Sequence, residues 1–328
     1  MIPHPSACPL HYRYRASDFR NASALAAETV YVVGGLYGNV EALHTLLRMQ
    51  EEERRQGTPV TLLFNGDHNW FDIDATSFCE INQTVLEHAA IQGNVEAEIA
   101  APSAGGCGCS YPAYVDAGLA TRSDAIMVRL QETSAVFPWL RKRLGELPRF
   151  GAIEVGGERV GIVHGDAESL SGWSFAAESL SSAGQCHSGD AGETTPLATL
   201  ERYFREAGVC AFASSHTCLP FARDYEVDGK ARLVINNGAA GMPNFARTAY
   251  GVITRISVHK NMPRTSLYGL QLGGLRFDAL PVHYDQAKWV KRFLANWPPG
   301  SPAYESYYRR IAYGPEYALD NAVAGNVR

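Results

Sequence analysis

The chain has 328 residues, and its 29 Lys and Arg against 34 Asp and Glu leave a formal net charge of −5. That balance lacks the basic excess of a protein built to grip phosphate backbones, which disfavours nucleic acid as a partner. With 46% hydrophobic and 19% charged residues, 31 Gly and 17 Pro, the composition is that of a loop-rich globular chain and excludes the disordered, collagenous and coiled-coil classes.

The first element is a β-branched run, Thr29-Val-Tyr-Val-Val33, which predicts a strand ending at Gly34-Gly35. Asn39 followed by Val40, Leu43 and Leu47 predicts a capped amphipathic helix. The pattern repeats with a strand at Pro59–Phe64, a loop at Asn65-Gly-Asp-His68, a helix over 76–89 and a short strand ending at Gln92-Gly93-Asn94. This β-α-β-α-β half gathers polar residues at the C-terminal ends of its strands, where open α/β sheets place their sites.

From residue 151 the chain turns to strands. Ala152–Val163 reads as a hairpin through Gly156-Gly157, and Tyr225–Ile235 as another through Asp228-Gly229. Tyr250–Val258 adds a strand, and Tyr268–Val282 a pair turning at Gly273-Gly274. Two mixed sheets packed face to face with helices outside, a four-layer α/β/β/α sandwich, is the expected fold. Insertions are expected near 101–118 and 171–196, each with a Gly- and Ser-rich core. A helical C-terminal extension over 284–328, broken at Trp297–Pro302, is expected to pack on a main domain spanning 1–283.

Seven scattered cysteines do not read as a disulfide framework, which points to a reducing, cytoplasmic setting. No run of about 18 apolar residues suggests a membrane span. Cys107-Gly-Cys109 reads as an inert loop or as a redox couple, an extra metal clip or a mobile lid, C-x-C being a weak signal. Cys218 and Arg223 are one residue short of the spacing of cysteine phosphatases.

Asp67, Asn94, His164 and His216 all fall in short loops at strand ends, beside Gly66, Gly93, Gly165 and Ser215. A carboxylate, a carboxamide oxygen and two imidazoles suit a divalent ion such as Zn, Mn or Fe. Glycine beside a ligand allows the tight turn that brings such loops together.

These blocks resemble the calcineurin-like metallophosphoesterases, whose signature runs D-x-H, GD, GNH, H-G and G-H-x-H along the chain. The matching segments are Gly35-Leu-Tyr37, Gly66-Asp67, Gly93-Asn94-Val95, His164-Gly165 and Ser215-His216-Thr217-Cys218. A sixth, Ile235-Asn-Asn-Gly-Ala-Ala-Gly-Met-Pro243, resembles the family's late turn, so the likeness spans roughly residues 29–258. The resemblance implies a second metal site with all its protein ligands, Asp67, Asn94, His164 and His216. It also implies a first site degenerate at three positions, now Gly35, Tyr37 and Cys218, and a GNH histidine replaced by Val95.

The resemblance therefore implies a hydrolase of phosphomonoesters or phosphodiesters, with metal-activated water as nucleophile at a mononuclear or asymmetric centre holding one or two ions. The partner it implies is a small phosphorylated substrate. Tyr37 is expected to fill the vacated first-site space. Cys218 as thiolate and His68 as ligand or proton donor are candidates to rebuild it. Asp166 and Glu168 are candidates to orient His164 or relay a proton, against a role in capping their own turn. The rival reading is a degenerate relative that binds metal and a phosphorylated ligand or a protein partner without catalysis. A mononuclear iron protein with redox chemistry in the same pocket is a third.

Overall fold

A computed structural model describes residues 10–103, 106–180 and 194–323 of the chain. The segment 181–190 expected as the centre of the second insertion lies outside the described residues, as does the end of the C-terminal extension beyond residue 323.

The strands are β1 (Ala24–Ala27), β2 (Thr29–Val33), β3 (Thr61–Asn65), β4 (Ala89–Ile91), β5 (Phe150–Val155), β6 (Glu158–Val163), β7 (Ala211–Ser214), β8 (Phe221–Val227), β9 (Lys230–Asn236), β10 (Gly251–Ser257), β11 (Tyr268–Leu272) and β12 (Leu275–Val282). They form two mixed six-stranded sheets, one in the order β1-β5-β6-β7-β9-β8 and the other β11-β12-β10-β2-β3-β4. Within them β2, β3 and β4 run parallel, as do β6, β7 and β9. The expected hairpins β5–β6, β8–β9 and β11–β12 are all present and antiparallel.

Alternation along β2 shows how the layers arise. Val30 and Val32 point into the core between the sheets with Ile162, Ala213 and Ile235, whereas Tyr31 and Val33 pack under helices with Leu43 and Leu46. Period-two burial on both faces is what a central strand of a covered sheet requires. The helices on that outer face are α1 (Val40–Arg55), α2 (Ala75–Val85), α3 (Asn94–Ala100), α4 (Ala117–Ser134) and α5 (Pro138–Gly145). Helix α6 (Leu197–Ala207) covers the other sheet through Leu200, Tyr203 and Phe204. The expected four-layer sandwich is the observed fold.

Helix starts follow the local chemistry of Asn and Asp caps. Asn39 accepts from the Ala42 amide at 3.1 Å, and Asp74 from that of Ser77 at 2.9 Å. At the C-terminal end, α7 (Gln286–Asn296) and α8 (Pro302–Tyr313) flank the Trp297–Pro302 break, and α9 (Leu319–Val323) follows. Trp289, Phe293, Trp297 and Ile311 are buried in the same core as α1 and α2.

Candidate metal centre

The parallel strands of both sheets deliver their C-terminal loops to one place. Asp67 follows β3, Asn94 begins α3 after β4, His164 follows β6 and His216 follows β7. Asp67 holds a left-handed backbone, φ 57°, directly after Gly66 at φ 81°. A non-glycine residue keeps that conformation only where its surroundings hold it.

The hold comes from Glu96, which is fully buried. Its carboxylate accepts from the amides of Asp67 at 2.7 Å, His68 at 2.9 Å and Gly93 at 3.0 Å, and from Asn69 Nδ2 at 3.1 Å. One buried carboxylate thus ties the loop after β3 to the start of α3. Gly93 admits no side chain, because a Cβ there would lie 2.3 Å from Asp67 Oδ1.

The two imidazoles are oriented by backbone carbonyls. His164 Nδ1 is 2.9 Å from the Asn65 carbonyl, and His216 Nε2 is 3.0 Å from that of Cys109. A carbonyl only accepts, so these nitrogens are the donors. The other ring nitrogens, His164 Nε2 and His216 Nδ1, then face each other at 3.2 Å. Asp67 Oδ2 is 3.3 Å and Asn94 Oδ1 3.2 Å from His164 Nε2. Asn94 presents that oxygen because its Nδ2 donates to the Cys107 carbonyl at 2.9 Å.

Two imidazole lone pairs, a carboxylate and a carboxamide oxygen aimed at one point repel unless a cation lies between them. Without metal the cation is a proton. Burial opposes an imidazolium at His164, yet the Asp67 carboxylate outweighs it and holds His164 above its ordinary value. Burial likewise opposes the Asp67 carboxylate, and the charge of His164 brings it below the usual range. His216, desolvated and next to His164, is pushed down to about 4 and stays neutral. Asp67, His164 and His216 are all buried and close enough to share one ion. The donor set fits a divalent metal.

The first-site positions hold something else. Tyr37 is buried, with its ring 5.9 Å from that of Phe71 and its hydroxyl 2.6 Å from Cys218 Sγ. Burial pushes both the Tyr37 phenol and the Cys218 thiol up, so neither offers an anion at neutral pH. A Cβ at Gly35 would lie 2.4 Å from Tyr37 Cζ, so the ring occupies the space of any side chain there.

The remaining sequence candidates fall elsewhere. Asp166 accepts from the amides of Glu168 and Ser169 at 2.9 Å and of Ser174 at 3.2 Å, capping its own turn. Glu168 pairs with Arg202 at 2.7 Å. Their carboxylates are spent on those contacts rather than on His164. His68 is fully buried with both ring nitrogens unpartnered, its ring edge-on to Phe64 5.9 Å away.

Cys107 and Cys109 form part of the wall of the site. They are joined by a disulfide, the paired state of the redox-couple reading, and one such bond between near neighbours is not a framework. Both are buried, and their carbonyls accept from Asn94 and His216, so these two residues wall the site.

A cavity of about 180 Å³ opens on the cluster, lined by Asp67, Asn94, His216, Tyr37 and Cys218. Helix α8 contributes Tyr307 and Arg310 to the same lining. Sequence reasoning missed Glu96 and Arg310. The spacing of Glu96 three residues into α3 after Gly93 was a capping signal for the first. Nothing local marks the second, whose Nη2 donates to the Cys218 carbonyl from 92 residues away.

No protein-family model matches the sequence, and no curated protein matches it either. Among solved structures, the chain is similar to a hypothetical protein, PH1004 from Pyrococcus horikoshii OT3, with TM-score 0.58 and 16% identity, covering 89% of this chain and 100% of that one. It is also similar to a metallophosphoesterase from Sphaerobacter thermophilus, with TM-score 0.52 and 15% identity over the same shares. At such identities the likeness bears on the fold, and the chemistry rests on the site's own atoms.

Proposed function

We propose that this chain, which has the calcineurin-like metallophosphoesterase fold, is a metal-dependent phosphoesterase working with one divalent ion held by Asp67, Asn94, His164 and His216. The observation that carries the reading is the facing pair His164 Nε2 and His216 Nδ1, 3.2 Å apart, each ring fixed by a carbonyl on its far side. Carbonyl-anchored imidazoles turned towards a shared carboxylate are how proteins prepare a metal site.

An ion such as Zn, Mn or Fe in this set supplies Lewis-acid polarisation of a phosphoryl oxygen and acidifies water towards a pKa of about 7. Asp67 offsets part of its charge, and the neutral Asn94 oxygen adds a donor without adding charge. Tyr37 and Cys218 fill the room of a second ion with neutral groups. Val95, buried beside Asp67, carries no proton for a leaving oxygen. Substrates whose leaving group needs little protonation, such as aryl phosphates, are therefore favoured.

The test is hydrolysis of an aryl phosphomonoester and an aryl phosphodiester with Mn or Zn and with chelator. Metal-dependent turnover that disappears in His164→Ala is expected. Stoichiometric metal without turnover moves the assignment to a binding protein for phosphorylated ligands, a reading favoured by the plugging of the first site by Tyr37 and Cys218.

A further inference from the structure

We propose that Arg310 is the substrate-binding cation of this site and that it selects phosphomonoesters, whose terminal phosphoryl group is a dianion, over phosphodiesters. The inference rests on the phosphoesterase reading above.

Among the described residues, Arg310 is the only Lys or Arg in the lining of the cavity that opens on Asp67 and His216. Its Nη2 donates to the Cys218 carbonyl at 2.9 Å, which anchors one arm of the guanidinium beside the filled first site. Its Nε is buried and has no partner. The neighbouring Arg309 instead pairs with Glu316 on an exposed surface. A guanidinium presents five donors in a planar fork that matches the oxygens of a phosphoryl group, and the bond from Nη2 to Cys218 uses one of them.

The location gives those donors a task. A phosphoryl group in a two-metal site meets two cations, whereas here neutral Tyr37 and Cys218 occupy the place of one. Arg310, held against Cys218, restores positive charge at that side of the cavity. The space is small: about 180 Å³ is room for roughly six waters at ~30 Å³ each, below the ~300 Å³ of pockets for drug-sized ligands. Trp70, Tyr111, Trp173 and Tyr307 wall it with aromatic surface. Such a space takes one phosphoryl group with one compact or flat substituent. A diester brings a second substituent and only one negative charge.

The experiment measures inorganic phosphate binding by calorimetry to the Mn-loaded protein and to chelator-treated protein, alongside KM for an aryl phosphomonoester and an aryl phosphodiester. Arg310→Gln removes the charge while keeping a donor for Cys218, and Arg310→Lys restores the charge without the fork. Arg310→Gln is expected to weaken phosphate binding about 10- to 100-fold and to raise KM for the monoester several-fold more than KM for the diester, so that the monoester-to-diester preference falls. Metal stoichiometry and melting temperature should stay unchanged, and Arg310→Lys should recover part of the loss. Unchanged phosphate affinity and an unchanged monoester-to-diester ratio in a folded Arg310→Gln overturn the proposal. Should the variants not fold, competition in the wild type decides. Displacement of phosphate by a monoalkyl phosphate and not by a dialkyl phosphate supports the assignment, and equal displacement overturns it. Failure of the phosphoesterase reading appears separately, as wild-type protein that holds no metal or turns over no ester.

Discussion

The hydroxyl of Tyr37 lies 2.6 Å from Cys218 Sγ, and both residues hold left-handed backbones, φ 54° and 59°. Two loops from different sheets are thus joined by neutral side chains where the D-x-H and G-H-x-H patterns of the resembled family place ligands.

The change at Gly35 is coupled to this contact, because a Cβ there would run into the Tyr37 ring. Gly35→Asp alone is expected to destabilise the protein by about 1–3 kcal/mol through overpacking, read by thermal or urea denaturation. Gly35→Asp with Tyr37→His and Cys218→His should recover that loss and raise the metal count. A single variant as stable as the wild type contradicts the coupling.

The carbonyls that accept from the proposed ligands Asn94 and His216 belong to a disulfide-bonded pair, Cys107 and Cys109. Cys107→Ser with Cys109→Ser, or reduction of the wild type, is expected to weaken metal binding about 10- to 100-fold, the scale seen when partners behind ligands are lost. Competition with a chromophoric chelator measures it, and equal affinity would show that the carbonyls hold their places without the bond.

Acid should unfold the metal-free protein partly through His216. Its folded value, lowered by burial and by His164 to about 4, lies below the ordinary value near 6.5, so the unfolded chain takes up a proton that the folded one refuses. Stability is then lost as pH falls from about 6.5 towards 4, by an amount on the order of 3 kcal/mol. His164 has the opposite sign: raised by Asp67, it stabilises below its unfolded value and that contribution fades as pH rises through its folded one. Urea denaturation across this window checks the claim, since His216→Asn should flatten the acid slope.

On the proposed phosphoesterase reading, Val95, at the position of the resembled family's GNH histidine, restricts the chemistry to good leaving groups. Val95→His is expected to raise turnover of alkyl phosphomonoesters by about 10²- to 10⁴-fold and that of aryl ones much less. Steady-state rates for the two classes test this, and a wild type equally fast on both contradicts it.

The strands, and the convergence of Asp67, Asn94, His164 and His216 on one place, were legible because their signals are local. Thr29–Val33 is β-branched, the hairpins turn on Gly-Gly or Asp-Gly, and each ligand adjoins a strand end. What escaped was encoded at a distance. Strand β1 is Ala24-Leu-Ala-Ala27, without β-branched residues, and exists through its pairing of Ala24 with Ala152. Arg310 reaches the cavity only because α8 packs against α4. The Cys107-Gly-Cys109 spacing left several readings open, and nothing local announced that their carbonyls accept from Asn94 and His216.

The central claim is a centre built for one ion, and metal content of the purified protein by plasma mass spectrometry tests it most directly. Wild-type protein is expected to hold one divalent ion per chain, and His216→Ala almost none. Two ions per chain in the wild type, or one ion retained in His216→Ala, would contradict it.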